Sequence, residues 1–428
     1  MGVIQQVLAW EALDSRGQPT VACMVRLDSG AEGEALAPAG ASTGSHEAVE
    51  RRDTEATRYA GRGVRAAVEL LHAEISPLLV GREVDAQEEL DAALRALDGT
   101  DDLSRLGANT VLAASVACAL AAAANRGVAL WRALAPDGPP LLPLPMVNVL
   151  SGGAHAGRMI DVQDFLVVPV GAKSFAEALE WTVRVRAATS DVLSSAGYEV
   201  ALVADEGGLA APLPTNRAAL DVLLAGIERS GLAPGSDVAI AVDVAATQLV
   251  ADGGYVLPRE RRSLQADELV EELAAWVDDF PIVSIEDPLG EDDAEGWKLV
   301  THRLGGRVQL VGDDLFATSV ARLRRGIADR AANAVLVKPN QVGTLSDARA
   351  VVELARDAGY ATVLSARSGE TEQAWLADLA IAWQAGQLKV GSTMRSERTA
   401  KWNRLLRIEA EEPNAVFAGR DALVPRPT

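Results

Sequence analysis

The sequence predicts an α/β protein whose C-terminal part is a βα-barrel. Three short apolar runs, rich in β-branched residues, end in Asp243, Glu286 and Asp313. Continuous apolar runs of this kind are typical of strands buried on both faces of a parallel sheet. The gaps between the three acidic residues each suit a helix and its loops, so we expect successive βα units. Two further runs, which end in Lys338 and Lys389, continue the same spacing.

The N-terminal part predicts a small α+β unit. We expect antiparallel strands over residues 4–13 and 20–27, joined by a turn that contains Asp and Gly. The next segment, residues 37–45, consists mostly of small residues. We interpret it as a lid that closes over a ligand, although a plain linker has the same composition. A helical pattern then runs from residue 47 to residue 135.

A proline-rich stretch separates the two parts. Five of the ten residues from 136 to 145 are proline, which excludes a helix and indicates an interdomain linker. We therefore place an N-terminal domain at residues 1–137 and the barrel at residues 138–428. Within the barrel we expect strands at residues 165–169 and 202–205 and a long helix at residues 174–196.

The composition excludes several classes of protein. With 428 residues, 49% of them apolar and 23% charged, the chain is typical of a soluble globular protein. Its net charge of −20 argues against nucleic acid and anionic membranes as partners, but not against an anionic substrate, since a bound metal reverses the local charge. Two cysteines are too few for a disulfide framework. We see no signal peptide and no run long enough to span a membrane, so we expect a cytoplasmic protein.

The acidic strand ends predict a metal site. Side chains at the C-terminal ends of barrel strands converge on one mouth, where barrel enzymes carry out their chemistry. There, Asp243, Glu286 and Asp313 would repel one another unless a cation neutralises them, and oxygen ligands suit Mg²⁺. Lys338 and Lys389 are each the only lysine of an apolar strand. Either could be a snorkelling surface lysine, but beside divalent metal a poorly solvated lysine can act as a base.

Other polar residues indicate the type of reaction that such a site could catalyse. Glu206 follows a run opposite the two lysines, Arg367 and Ser368 are suited to hold a phosphate or carboxylate, and His155 lies in a loop of small residues. A lysine base working with Mg²⁺ removes the proton next to a carboxylate. A carboxylic acid on the opposite side can then protonate a β-hydroxyl group as it leaves. The predicted products are water and an enol derivative.

At this level of detail the chain resembles the enolase, or phosphopyruvate hydratase, family over nearly its whole length. The resemblance implies an N-terminal α+β domain that caps an enolase-type barrel, whose first two strands are antiparallel. It also implies a homodimer or an assembly of dimers. The motifs that carry the resemblance are Gly40-Ala41-Ser42-Thr43-Gly44, Asp205-Glu206-Gly207-Gly208, Ser284-Ile285-Glu286-Asp287-Pro288-Leu289, Val337-Lys338-Pro339-Asn340-Gln341, Arg367-Ser368-Gly369-Glu370-Thr371 and Arg395-Ser396-Glu397-Arg398.

The resemblance also implies a role for each candidate residue. Two Mg²⁺ ions are implied, the second arriving with the substrate. Lys338 would take the C2 proton, and Glu206 would act as the acid at the C3 hydroxyl, with Asp164 as its partner. Tight Mg²⁺ binding would fall to Asp243, Glu286 and Asp313, and Ser42 would help to bind the second Mg²⁺. Lys389 would contact the substrate carboxylate. The phosphate end of the substrate would be contacted by Arg367, Ser368 and His155.

Four positions depart from the family pattern. Asp164 stands where the family has Glu, which retracts the carboxylate by about 1.5 Å, and misplacement on that scale can cost about 100-fold in rate. Ala366 replaces a His and leaves a ring-sized space beside Arg367. Ala39 stands in the lid where Ser is usual, and Arg158 stands where a small or polar residue is common.

Three hypotheses follow. The first is a hydro-lyase for a 2-phosphoglycerate analogue such as a carboxyphosphono-glycerate, which gives carboxyphosphonoenolpyruvate in a phosphonate natural-product pathway. Its extra carboxylate would fill the space beside Ala366, where Arg158 or Arg367 could balance the charge. The second is a true enolase, which converts 2-phosphoglycerate to phosphoenolpyruvate. The third is a non-catalytic binding or scaffold protein, against which the retained lysines and metal-site acids argue.

Overall fold

The N-terminal sheet has three antiparallel strands. The structure is a computed structural model that describes residues 2–41, 44–135 and 138–424. Its first strands are β1 (Ile4–Leu13), β2 (Pro19–Leu27) and β3 (Glu32–Leu36), in the order β1-β2-β3. The predicted strands at residues 4–13 and 20–27 are therefore confirmed. Almost every residue of β2 is buried, because it is the central strand and a helix covers one of its faces.

Helices begin later in this part than the sequence pattern predicts. The first one starts at Arg65, and residues 45–64 hold only a short 3₁₀ turn. Asp53 in this segment accepts hydrogen bonds from the backbone N–H groups of Arg65 and Ala66, both 3.0 Å long, which satisfies two donors at the helix start. The helices are α1 (Arg65–Leu70), which continues into a π-helical turn (Leu71–Ile75), α2 (Ser76–Leu79), α3 (Gln87–Asp98), α4 (Ala108–Asn125) and α5 (Leu130–Leu134).

Helix α4 forms the core of the N-terminal part. It is long and apolar enough to cross a membrane, but 83% of its apolar window is buried within the protein, where it packs on β2 and β3. The helix backbone lies so close to β3 that a Cβ atom added at Gly33 would overlap the backbone of Ala117 and Ala121. Small residues thus allow the helix to lie close to the sheet, and α4 is a core helix.

The C-terminal part is a closed eight-stranded barrel in the order β5-β6-β7-β11-β12-β13-β14-β15. Strand β6 is antiparallel to both β5 and β7, whereas the other neighbours are parallel. The expected antiparallel pairing of the first two barrel strands is present. The strands are β4 (Leu141–Leu142), β5 (Leu144–Ser151), β6 (Asp164–Val168), β7 (Ala239–Asp243), β8 (Val250–Ala251), β9 (Gly254–Leu257), β10 (Arg262–Leu264), β11 (Ile282–Glu286), β12 (Gln309–Gly312), β13 (Ala334–Val337), β14 (Ala361–Ser365), β15 (Gly386–Lys389) and β16 (Val416–Phe417).

Helices surround the barrel. The expected helix at residues 174–196 is observed as Phe175–Ser195, where the Ser174 hydroxyl accepts a hydrogen bond from the Glu177 backbone N–H and caps the first turn. The barrel helices are α6 (Phe175–Ser195), α7 (Asn216–Arg229), α8 (Ala266–Asp279), α9 (Ala294–Leu304), α10 (Val320–Asp329), α11 (Leu345–Asp357), α12 (Trp375–Ala382) and α13 (Ser396–Glu411).

One predicted strand is wrong. Residues 202–205 are not a barrel strand, and their only ladder contact is an isolated bridge between Val203 and Leu209. The chain turns back at Gly207, whose φ of +85° favours glycine, so the segment folds into a loop over β5. This loop, rather than a strand end, presents Glu206. The domain boundary near residue 138 stays a prediction, because residues 136 and 137 lie outside the described part of the chain.

Candidate active site

Two predicted metal ligands face each other on neighbouring strands. Asp243 ends β7 and Glu286 ends β11, and the two residues are register partners. Both are buried, with 2% and 3% of their surface exposed. The Lys389 ammonium group donates to Asp243 Oδ2 and to Glu286 Oε2, both at 2.7 Å. The end of β15 thus brings the lysine and these two carboxylates to one point.

The third predicted ligand pairs with the candidate base. Asp313 follows β12, and its Oδ2 lies 2.5 Å from Lys338 Nζ, while Gln341 donates to its Oδ1 at 3.1 Å. The neighbouring Asp287 carboxylate accepts hydrogen bonds from the backbone N–H groups of Asp313 and Asp314, at 2.9 and 2.8 Å. Asp287 therefore shapes the loop that presents Asp313. One carboxylate oxygen each from Asp287, Asp313 and Asp314 lies within 4.8 Å of the others.

Electrostatics keep the candidate base protonated in the protein alone. Burial by itself would lower the pKa of Lys338, but the negative charge of Asp313 outweighs burial and the pKa is raised. The pKa of Lys389 is raised well above its ordinary value, again against burial, by Asp243 and Glu286. A lysine with a lowered pKa, as the sequence suggests, therefore requires a cation to take over the charge of Asp313.

The donor set fits such a cation. Burial, and then the charge of Asp243, raise the pKa of Glu286 well above its usual range. Its Oε1 atom is buried and has no hydrogen-bond donor among the described residues. A buried acceptor without a partner is costly, and a hard divalent cation would satisfy it. Asp243, Glu286 and Asp313 carry the carboxylate oxygens that Mg²⁺ prefers. Among the described residues, however, the close group that contains Asp313 is formed with Asp287 and Asp314, so a single site made by the three predicted ligands stays a prediction.

The lid residue Ser42 lies outside the described residues, so its metal-binding role stays a prediction. The nearest described residues, Ala41 and Gly44, are held by hydrogen bonds. The Ala41 N–H donates to the Ser368 hydroxyl at 2.6 Å, and the Gly44 N–H donates to Glu47 Oε1 at 2.9 Å. A backbone bridge between Ala39 and Gly369 fixes the start of the segment to the barrel.

His155 connects the carboxylates of Asp164 and Glu206, next to the candidate metal ligand Asp243, which is the register partner of Asp164. Its Nδ1 lies 2.7 Å from Asp164 Oδ2, and its Nε2 lies 3.8 Å from Glu206 Oε1. Asp164 is completely buried, and its Oδ1 accepts hydrogen bonds from Asn148 at 2.5 Å and from Ser151 at 2.8 Å. Both oxygens of the shortened carboxylate are therefore occupied, and His155 is the group between it and Glu206.

The charges of this cluster favour the ionised forms of His155 and Glu206. Burial would lower the pKa of His155, but Asp164 and Glu206 raise the pKa to about 9. Burial would likewise raise the pKa of Glu206, yet the positive charges of His155 and Arg398 lower it overall. For Asp164, burial dominates and its pKa is raised. The cluster thus holds an imidazolium next to an ionised Glu206.

The predicted anion-binding residues lie at the end of β14. The Arg367 guanidinium donates to both oxygens of Glu47, at 2.7 and 3.2 Å, and to Asn340 Oδ1 at 3.0 Å. Ala366 is buried, and its N–H donates to the Lys389 carbonyl at 2.9 Å. Ala366, at the position where the family has His, therefore lies between Lys389 at the end of β15 and Arg367, the predicted anion-binding residue.

Arg158 is placed differently from the other candidates. It is exposed on the loop after β5, with φ of +58°, and lines a small cavity with Gln248 and Pro258. Its contact with a substrate stays a prediction.

Sequence reasoning missed the polar residues that hold the candidates in place. Gln163 donates to Asp243 Oδ2 at 3.1 Å and accepts from Gln248 at 2.6 Å. Two of the missed residues had a visible signal, because Gln163 precedes Asp164 and Gln341 ends a matching motif. The missed residues are Asn148, Ser151, Gln163, Gln248, Gln341 and Glu47.

Comparison with known families covers nearly the whole chain. Residues 4–134 match the enolase N-terminal domain, and residues 140–425 match the enolase C-terminal TIM barrel domain. The predicted fold class, an enolase-type barrel with an N-terminal α+β domain, is confirmed by these matches and by the closed barrel. Members of this family use Mg²⁺ and bind substrates of the phosphoglycerate type.

Proposed function

The chain belongs to the enolase family, and from that premise we propose that it is a Mg²⁺-dependent hydro-lyase acting on a carboxylate with a β-hydroxyl group. The observation that carries the proposal is the pair of lysine–carboxylate contacts at one barrel mouth. Lys338 meets Asp313 at 2.5 Å, and Lys389 meets Asp243 at 2.7 Å. A base and a carboxylate-binding cation therefore lie directly beside the proposed metal ligands.

Each residue has one task in the proposed reaction. The neutral Lys338 amine takes the proton from C2, and the electron pair left on C2 moves into the substrate carboxylate, which Lys389 binds. The C2–C3 double bond then forms as the C3–O bond breaks, and the leaving hydroxyl takes a proton from Glu206 and departs as water. Asp243, Glu286 and Asp313 would hold Mg²⁺, whose positive charge would stabilise the negative charge gathered on the substrate carboxylate.

Glu206 must be protonated before it can donate. His155, 3.8 Å from Glu206 and 2.7 Å from Asp164, is the group through which a proton reaches that carboxylate. Because both Asp164 oxygens already accept hydrogen bonds, the role of Asp164 is to orient the imidazole ring and to favour its protonated form. This division of work is compatible with a carboxylate one methylene shorter than the family's.

The substrate that we propose is a 2-phosphoglycerate analogue with a longer anionic end, such as a carboxyphosphono-glycerate. Its product is carboxyphosphonoenolpyruvate, an intermediate suited to a phosphonate natural-product pathway. A carboxylate in place of one phosphate oxygen needs more room, and the Ala366 side chain, which is smaller than the family's His, would leave that room beside Arg367. The second Mg²⁺ would arrive with this substrate and contact Ser42.

A second candidate is true enolase activity on 2-phosphoglycerate. It is favoured by the retained set of Lys338, Lys389 and Glu206 at the barrel mouth. In this case a water molecule would fill the space beside Ala366.

One comparison separates these functions. The purified protein is incubated with Mg²⁺ and either carboxyphosphono-glycerate or 2-phosphoglycerate, and enol formation is followed by absorbance. We expect turnover of the first substrate and at most slow turnover of the second. Turnover of 2-phosphoglycerate at about 10 per second, a typical enzymatic rate, would refute the specialised substrate. An absence of Mg²⁺-dependent turnover with both would favour the scaffold hypothesis.

Two further expectations belong to the proposal. We place the protein in the cytoplasm and expect a homodimer or an assembly of dimers. Cell fractionation and light scattering of the purified protein check these two points.

A further inference from the structure

Arg398 is a fully buried arginine beneath the barrel mouth. It lies in the first turn of α13 and has 0% exposed surface. Its guanidinium donates to the Arg367 carbonyl at 2.6 Å and to the Ser368 carbonyl at 2.5 Å. A contact of 3.5 Å joins the same group to the Asp205 carbonyl. Arg398 thus contacts the backbone of two separate loops.

Burying the charged guanidinium of Arg398 costs free energy, and a residue that only fills space would not need a charge there. Removing a cation from water costs several kcal/mol in real proteins, and good hydrogen bonds must offset that cost. The planar guanidinium has donors in a fixed fork, which suits two successive carbonyl groups in a way that a lysine cannot reproduce. The carbonyls that Arg398 bonds at 2.5 and 2.6 Å are those of the two proposed anion-binding residues.

The second loop carries the proposed acid. Asp205 immediately precedes Glu206, whose own carbonyl accepts a hydrogen bond from the Ser392 N–H at 2.9 Å. The backbone fits tightly here, since a Cβ added at Gly391 would lie 2.8 Å from the Glu206 carbonyl and 2.9 Å from Arg398 Cδ. The acid loop therefore lies against Arg398 without free space.

We propose that Arg398 is a positioning residue that holds the Glu206 loop and the Arg367–Ser368 loop at a fixed separation. The substrate's leaving hydroxyl and its anionic end are then engaged together. This inference rests on the proposed function. The proposed base has no described hydrogen bond to either loop, because Lys338 follows β13 and its hydrogen bonds are with Asp313, Thr318 and the Gln341 N–H.

That separation of contacts predicts an uncoupled reaction in an Arg398 variant. Removal of the C2 proton by Lys338 should continue, whereas elimination, which needs Glu206 and the anion end in register, should slow. In D₂O the first step replaces the C2 proton of unreacted substrate by deuterium, and the second releases water. Both are measured in one sample by NMR.

The test compares Arg398→Gln and Arg398→Lys with a control, Arg404→Gln. Arg404 lies on the same helix but pairs with Asp378, at 2.7 and 2.8 Å, away from both loops. We expect the ratio of elimination to C2 exchange to fall about 100-fold in Arg398→Gln, the scale of a 1 Å misplacement. The Arg398→Lys variant should recover part of the ratio, and the control should keep it.

Hydrogen–deuterium exchange of the full chain supplies a measurement that needs no turnover. In both Arg398 variants, amides at residues 203–209 and 365–369 should exchange faster together, and in the control neither segment should change. If only one segment responds, or the ratio of the two activities stays constant in folded variants, the inference is wrong. If the wild-type protein showed neither C2 exchange nor elimination, the proposed function would be refuted. The role of Arg398 would still be decided by whether the amides of residues 203–209 and 365–369 exchange faster together in its variants. Should Arg398→Gln not fold, Arg398→Lys decides both readings.

Discussion

The two sides of the barrel mouth differ in how complete they are. On the metal side, Asp243, Glu286 and Asp313 keep the residue types that the enolase resemblance implies. On the acid side, Asp164 and Ala366 depart from it. The proposed groups for removing a proton are therefore retained, and so are the proposed acid Glu206 and the predicted anion-binding Arg367. What has changed is one residue beside each of the latter two, Asp164 and Ala366.

The two sides also differ in their hydrogen bonding. On the metal side, Glu286 keeps a buried oxygen without a donor among the described residues, so this side gains from a cation. On the acid side, both Asp164 oxygens already accept hydrogen bonds from His155, Asn148 and Ser151. On the first side a cation would satisfy the unpartnered Glu286 oxygen. On the second side both Asp164 oxygens have partners, and the atom without a donor among the described residues is Asn148 Oδ1.

The largest expected effect comes from removing the base. Lys338→Met keeps the length of the side chain but has no amine, so both C2 exchange and elimination should fall about 10⁴-fold, the upper range for general-base catalysis. NMR in D₂O measures both rates. The exposed Lys173 provides a control, since Lys173→Met should leave both rates unchanged. Persistent C2 exchange in Lys338→Met would mean that another group is the base.

A smaller effect is expected on the acid side. Glu206→Gln cannot donate a carboxylic proton, so elimination should fall about 10³-fold. C2 exchange should persist, because the metal-side contacts of Lys338 and Lys389 are unaffected. The same NMR experiment gives both numbers. Equal loss of the two rates would show that the two sides do not act separately.

Replacing Ala366 by the family's His should change the preference between the two substrates. Ala366→His fills the space beside Arg367, so the ratio of kcat/KM for carboxyphosphono-glycerate over 2-phosphoglycerate should fall by about 100-fold, the scale of steric discrimination in a pocket. Steady-state kinetics with both substrates measure it. Ala366→Ser, which adds little volume, serves as the control. An unchanged ratio in the His variant would remove the structural basis for the specialised substrate.

The smallest expected effect concerns stability. The pKa of His155 is raised from 6.5 to about 9, so its protonated form stabilises the fold. That contribution is fully present below pH 6.5 and is lost as the pH rises through about 9. His155→Asn should therefore lose about 2 kcal/mol at pH 6, the scale of a charged hydrogen bond, and much less at pH 10. Urea unfolding at the two pH values measures the difference, and an equal loss at both would contradict the imidazolium assignment.

The strands that end in the predicted metal ligands were predictable, because short, continuous apolar runs rich in β-branched residues are typical of buried parallel strands. Asp243, Glu286 and Asp313 end such runs, and the structure places each at the barrel mouth. The position of Glu206 was not predictable in this way. A left-handed backbone at Gly207 turns its segment into a loop, and no period in the sequence shows that turn.

The polar support of the site was harder to predict than the candidates themselves. Asn148 and Ser151 are ordinary residues of an apolar strand, and only the fold brings them to Asp164. Likewise, Glu47 follows the lid and meets Arg367 across a long sequence separation. Contacts of this kind depend on tertiary structure, and local pattern does not encode them.

The proposed reaction depends most on the binding of a divalent cation by the three carboxylates. Titration with Mn²⁺, followed by electron paramagnetic resonance, measures this directly for the wild-type protein and for Glu286→Gln. We expect one Mn²⁺ bound without substrate in the wild type, displaced by Mg²⁺, and an affinity lower by about 100-fold in the variant, since one charged ligand is lost. Equal affinities in the two proteins would contradict the metal site.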